Sequence, residues 1–259
     1  VFAAHGDQLA PCMAAARAHG LRVHLWKVCW RLHDGARALR ERLAAEGRLQ
    51  VARDGRTLGW LCPSHPENRI MEKESLREHI RAGIVDGIHL DYIRYPGSHA
   101  CFCDGCRRRF EAWLGRPAVH WPVTQRHKDL WPRFTQWRVE QITGLVRDLR
   151  AIVNRQAPGM ALSAAVFGKY PLCAESVAQD WGAWLREDLV DFVCPMNYTA
   201  DTGAFRRLVQ AQLALPGAAG RVYPGIGVNG PDGRLAPLAV VDQVQAVRDA
   251  GAAGYLLFD

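Results

Sequence analysis

No apolar run in this 259-residue sequence approaches the roughly 20 residues needed to cross a bilayer, so no membrane span is expected. No signal peptide opens it either. Val1 to Gln8 reads as the end of a loop, and localisation is not fixed by that start; a signal upstream would make the protein secreted or periplasmic. No glycine-rich dinucleotide turn follows the early strands, which argues against an open doubly wound sheet. No polar linker divides the chain, so residues 1–259 read as one domain. The formal charge is +7, yet the arginines are scattered and the densest cluster is Arg107, Arg108 and Arg109. Without basic residues interleaved with aromatics, a nucleic-acid partner is not supported.

What is present is an ordinary globular composition, 49% hydrophobic and 23% charged, at a length suited to one α/β barrel. Short apolar runs alternate with helical periodicity, the rhythm of a parallel sheet. Strands are expected at Arg22–Trp30, Leu58–Cys62, Gly87–Ile93, Met160–Phe167, Val190–Met196, Arg221–Val228 and Gly254–Phe258. Helices are expected at Leu9–His19, Ala36–Glu46, Lys73–Ala82, Phe134–Arg155, Val177–Glu187, Phe205–Leu213 and Val240–Asp249. In the fourth of these, Phe134, Trp137, Ile142, Leu145, Val146, Leu149, Ile152 and Val153 form one apolar stripe. Residues 97–132, rich in Cys, His, Trp and Pro, are too long for a plain connection and read as a functional insertion. Seven strands with a helix in front of the first give a (β/α)8 TIM barrel lacking its strand one.

In such a barrel the chemistry sits where strands end. Along Gly87–Ile93, alternation puts His89 and Asp91 on one face, and Arg94 follows close enough to hold Asp91 ionised. Other strand ends offer His24, Trp26, Trp60, Asn197 and Tyr198, rings and amides suited to a sugar's apolar face and hydroxyls. Glycoside hydrolysis needs a second carboxyl group. Asp180 is the first choice, because Trp181 beside it would desolvate it; Glu175, Asp201 and Asp259 follow. Asp180 reads equally well as the cap of the helix containing Trp184.

The runs Leu61–Glu67, Val85-Asp86-Gly87-Ile88-His89-Leu90-Asp91-Tyr92-Ile93-Arg94-Tyr95-Pro96, Gln179-Asp180-Trp181 with Trp184, and Asp191–Tyr198 together resemble the family-10-like glycoside hydrolases. The resemblance spans nearly the whole chain, and its most specific part surrounds Asp91. It implies a (β/α)8 barrel acting on a poly- or oligosaccharide, with Asp91 as the strand-four carboxylate, and it names no substrate. A carbohydrate-binding protein without hydrolytic activity is the alternative on the same scaffold.

Of eight cysteines, Cys101, Cys103 and Cys106 are clustered. A disulfide framework suits small secreted domains with poor cores, so clustered thiols in a chain of this size point first to metal. The segment also resembles the zinc segment of the family 42 β-galactosidases, which implies a structural Zn2+ holding the long loop. A closed tetrahedral site needs a fourth ligand. Cys62 is the first choice, as the end of a neighbouring strand, with His65 and His99 as alternatives. Cys12, Cys29, Cys173 and Cys194 read as isolated buried thiols.

Overall fold

The computed structural model of the protein describes residues 9–83, 85–230 and 233–259, so the Val1–Gln8 segment lies outside the described residues. In chain order the first half comprises α1 (Leu9–Ala18), β1 (His24–Val28), α2 (Arg37–Ala45), β2 (Leu49–Val51), β3 (Thr57–Leu61), α3 (Pro66–Ala82), β4 (Gly87–Asp91) and α4 (Asp104–Leu114). The second comprises α5 (Trp131–Gln156), β5 (Ala161–Phe167), α6 (Leu172–Val177), α7 (Trp181–Arg186), β6 (Phe192–Met196), α8 (Thr202–Leu213), β7 (Gly225–Gly227), β8 (Asn229–Gly230), β9 (Gly233–Arg234), α9 (Pro237–Asp249) and β10 (Leu256–Phe258).

Six strands form one parallel sheet in the order β1-β4-β5-β6-β7-β10. Its strands follow sequence order with helices between them, the pattern of a (β/α) barrel, but β1 and β10 remain edges among the described residues. The result is an open half-barrel. Register along β1 and β4 runs from His24↔Gly87 to Val28↔Asp91. Because side chains alternate across a strand, Ile88 and Leu90 point outward beneath the helices and are fully buried, while His89 and Asp91 take the inner face. Each such aliphatic side chain contributes about 1.5–3 kcal/mol on burial. All eight residues of the apolar stripe expected on α5 are buried.

On the outer side of β1, the Lys27 ammonium meets the Glu72 carboxylate of α3 at 2.5 Å, both side chains almost wholly buried. Glu72 also accepts the Trp30 backbone amide, where φ is +58°. This buried pair fixes the chain's exit from β1 against α3. Arg138 of α5 is likewise buried, 4.4 Å from the Tyr95 ring centroid, and donates to the Gly97 and Glu175 carbonyls, pinning the loop after β4.

Several expectations need correction. The Leu58–Cys62 strand lies outside the parallel sheet: β3 pairs antiparallel with the short β2, forming a hairpin, and Asp91 therefore ends the second strand of the six. The hairpin is extended through an Ala52↔Ala100 bridge, so it belongs with the 97–132 insertion. The helix expected from Lys73 begins at Pro66, since proline at the first turn needs no amide partner. The helix expected at Val177–Glu187 shortens to α7, while Val177 ends the preceding α6, where Ala178 turns the chain with φ of +61°. The Arg221–Val228 strand shortens to β7, because Pro224 donates no backbone hydrogen bond. Cys12 is exposed, unlike the other isolated thiols.

Candidate active site

Asp91 is the last residue of β4, at the carboxyl edge of the sheet. Its Oδ2 accepts the Trp26 indole N–H at 3.0 Å, and its Oδ1 accepts the backbone N–H of Tyr92 at 2.6 Å. Trp26 can reach it because β1 and β4 are in register, with Trp26 opposite His89 one step deeper. Tyr92 has φ of +55°, a conformation that costs a non-glycine residue about 1–3 kcal/mol and turns the chain sharply away from the strand. The carboxylate is thus held from two sides and opens onto a cavity of about 500 Å3. Arg94, Phe167, Lys169, Met196, Asn197 and Tyr198 contribute to its wall. That volume is the size of an ordinary small-ligand site.

Arg94 does not form the expected ion pair with Asp91. Its guanidinium lies 4.6 Å from the Phe167 ring centroid, 5.1 Å from Tyr92 and 5.2 Å from Trp60, and donates through Nη1 to the Tyr95 carbonyl. Three rings from β3, β5 and the loop after β4 therefore hold it by cation–π attraction. Burial pushes its pKa below the usual range, an effect partly opposed by the charge of Asp91. Burial, then the negative charge of Asp91, pushes the Tyr198 phenol up to about 12, so it stays protonated and can donate.

The remaining candidates separate into groups. Trp60 is brought to the site, but from the hairpin, packing edge-on against Tyr92 at 5.5 Å. His89 lies deeper on the inner face, its Nδ1 2.8 Å from Ser163 Oγ. Burial lowers its pKa to about 4, so it is a neutral imidazole at physiological pH. Asn197 reaches the cavity wall with its amide already engaged by Gln212. His24 is not at the mouth: it begins β1 and lines a separate cavity of about 740 Å3 at the amino ends of the strands, near Phe192. Trp181 does not line the cavity beside Asp91. It is fully buried, donates to the Phe167 carbonyl and packs against Tyr170, as a core tryptophan.

The structure does not bring Asp180 to Asp91. Its Oδ1 caps α7 through the Ala183 amide at 3.1 Å and accepts the Tyr170 hydroxyl at 2.9 Å, and it is not in the cavity wall. Glu175 accepts the Trp131 indole, Asp201 caps α8 and Asp259 accepts from Asn229. Among the described residues, Asp91 is the one carboxylate in this cavity. No spacing pattern signals the aromatic cage on Arg94, whose rings lie at positions 60, 92 and 167.

Cys62, Cys101, Cys103 and Cys106 converge in a second, buried cluster, with all four sulfurs within 4.8 Å of one another. Cys62, expected as the fourth member, follows the hairpin strand β3 and no barrel strand; Cys106 comes from the first turn of α4. The Cys62–Cys106 and Cys62–Cys103 separations are 3.4 and 4.0 Å. A tetrahedral ion with metal–sulfur bonds of ~2.3 Å needs sulfurs ~3.8 Å apart, so four thiolates here fit a metal ion. The Val51 and Cys106 amides donate to Cys101 and Cys103, and the Arg109 guanidinium reaches Cys62 at 3.8 Å, which together would offset thiolate charge. Hydrogen bonds from the other three thiols pull the Cys62 pKa well below its ordinary value. His65 and His99 are outside the cluster.

The glycosyl hydrolase-like 10 profile matches residues 4–215, which include Asp91, the cavity wall up to Leu208 and all four clustered cysteines. The chain belongs to the glycosyl hydrolase-like 10 family. Solved structures agree on the fold. The PgaB (BpsB) glycoside hydrolase domain from Bordetella bronchiseptica superposes with a TM-score of 0.74 at 16% identity, over 94% of this chain and 72% of that one. A β-galactosidase from the psychrophilic Marinomonas ef1 gives 0.74 at 12% identity, over 98% of this chain and 46% of its own. Gan42B, a GH42 β-galactosidase from G. stearothermophilus, gives 0.72 at 10% identity, over 98% and 43%. This chain therefore spans less than half the length of those β-galactosidases. No curated protein sequence matches it. In this glycosyl hydrolase-like 10 chain, the half-barrel presents Asp91 at the strand edge where (β/α) barrels carry their chemistry.

Proposed function

We propose that this chain is a glycosidase that cleaves a poly- or oligosaccharide at the carboxyl edge of its sheet, with Asp91 as the reacting carboxylate. The observation that carries this reading is the placement of Asp91, held by Trp26 and the Tyr92 amide and open to a cavity walled by rings. Sugar rings stack on aromatic faces while their hydroxyls take hydrogen bonds, and the protonated Tyr198 phenol is available for one. Asp91 would stabilise positive charge at the anomeric carbon or transfer a proton at the glycosidic oxygen. Asp180 has no part in that step, because its carboxylate is committed to the α7 cap and to Tyr170.

Most glycosidases use two carboxyl groups, about 5 Å apart for retention or 6.5–9.5 Å for inversion, and among the described residues this cavity holds one. A substrate that supplies its own nucleophile would satisfy the chemistry with a single protein carboxyl group. The same observation favours a second reading, carbohydrate binding without cleavage. Screening a polysaccharide panel for new reducing ends, alongside equilibrium binding to the same panel, separates the two. Release of reducing ends supports hydrolysis, and binding without release supports the second reading.

The four-cysteine cluster is proposed to hold one Zn2+. Four protein ligands leave no position open for water, so the ion would serve the architecture, joining the β2–β3 hairpin to the 97–132 insertion.

A further inference from the structure

We infer that the cavity beside Asp91 is built for a carbohydrate bearing an anionic substituent, held by Arg94 and Lys169. This rests on the carbohydrate reading above and narrows its substrate class. A guanidinium has five N–H donors. In Arg94 the structure pairs one nitrogen, Nη1, with the Tyr95 carbonyl, while Nε is shut away from solvent with no acceptor. The Trp60, Tyr92 and Phe167 rings attract the charge but accept no conventional hydrogen bond from it. Arg150 meets Asp191 at 2.8 Å and Arg221 meets Asp188 at 2.8 Å, whereas Arg138 is held, like Arg94, by a ring and backbone carbonyls but lines no part of this cavity. Arg94 meets no carboxylate within 4.0 Å among the described residues. A desolvated, under-bonded cation facing a cavity is a costly arrangement that a bound anion relieves.

The rest of the cavity points the same way. Lys169 follows β5, is exposed and lines the same wall, with no carboxylate within 4.0 Å among the described residues. Arg31, outside the cavity lining, donates to the Tyr92 hydroxyl at 2.8 Å and has Asp34 3.8 Å from its guanidinium. Against these stands Asp91, whose two oxygens already take the Trp26 and Tyr92 donors. Phe167, Leu172 and Met196 offer apolar surface for a sugar ring while the anionic group faces the two cations. A uronic acid carboxylate and a sulfate ester share this chemistry, and the planar guanidinium fork suits either.

The test is calorimetric titration of the whole chain with oligogalacturonate, a sulfated galactan oligosaccharide and a neutral cello-oligosaccharide of equal length. It is repeated with Lys169→Gln, an exposed position that leaves the fold untouched, and with Arg94→Gln. Wild-type protein should bind one acidic oligosaccharide at least about tenfold more tightly than the neutral one, and added salt should erode that margin. Lys169→Gln and Arg94→Gln should each lose most of the margin between acidic and neutral ligands, and a full margin kept in both variants overturns the inference. Which acidic ligand wins identifies the substituent. Equal or tighter binding of the neutral oligosaccharide overturns the inference and leaves the carbohydrate reading standing. Failure to bind any of the three overturns both.

Discussion

Stripping metal from the four-cysteine cluster should loosen one part of the molecule and spare another. Cys62, Cys101, Cys103 and Cys106 are at most 8% exposed, and they join a hairpin whose strands span only Leu49–Val51 and Thr57–Leu61 to the start of α4. A lone two-stranded hairpin is marginal in water; the ring cluster of Phe102, Phe110, Trp121 and Phe134 packs behind it, and the proposed ion would tie it down further. With free metal at 100 times its Kd, binding contributes about 2.7 kcal/mol to the folded state. For a chain of this size that corresponds to a drop of roughly 5–10 °C in Tm on chelation under reducing conditions. Elemental analysis should give about one zinc per chain before chelation. Hydrogen exchange should rise in residues 49–62 and 100–121 while the β4, β5 and β6 amides stay protected. An unchanged Tm after verified metal removal, zinc far below stoichiometry, or a disulfide among the four would refute the reasoning.

Two further predictions concern groups near the candidate site. His89 has its pKa lowered by burial from an ordinary 6.5 to about 4, so between those values the unfolded chain binds the extra proton. Stability contributed by neutral His89 is fully present above about pH 6.5 and lost as pH falls toward 4, by at most about 3 kcal/mol. His89→Gln should flatten the acid limb of denaturant-measured stability, and an identical limb would contradict the assignment. Asp180→Ala removes a helix cap and should cost about 1 kcal/mol while leaving any hydrolysis intact. A hundredfold fall in turnover without loss of fold would return Asp180 to the chemistry.

Much of the fold was legible because burial leaves periodic marks. The α5 stripe and the alternation through Ile88, His89, Leu90 and Asp91 each state one face unambiguously, and both faces stand as expected. Leu58–Cys62 misled because an apolar run of that length looks the same in a barrel strand and in a hairpin. Its partner β2 has only three residues and left no pattern to find. Cys62 joined the cluster even so, since the hairpin delivers it to the insertion. Asp180 followed by Trp181 fits either a desolvated acid or a cap; only the position of the Ala183 amide decides. His24, expected at a strand end near the mouth, begins β1 instead, because alternation fixes facing but not depth along the strand. Arg94 is legible as a neighbour of Asp91 in the site, but its aromatic cage is not, as the rings sit at positions 60, 92 and 167, which only the fold brings together.

The central claim is that Asp91 is a reacting group, and the Asp91→Asn variant tests it most directly. Asn keeps one oxygen acceptor, for the Trp26 indole or the Tyr92 amide but not for both, and no ion pair with Arg94 is lost, so the variant should lose about 1–3 kcal/mol and still fold. The measurement is reducing-end release from the best substrate of the polysaccharide panel, made on wild-type and variant protein together with Tm and ligand affinity. Turnover should fall about 10²–10⁴-fold while the protein stays folded at the assay temperature and affinity is nearly unchanged. Wild-type turnover in the variant, or a loss explained by a collapse of several kcal/mol in stability, would contradict it.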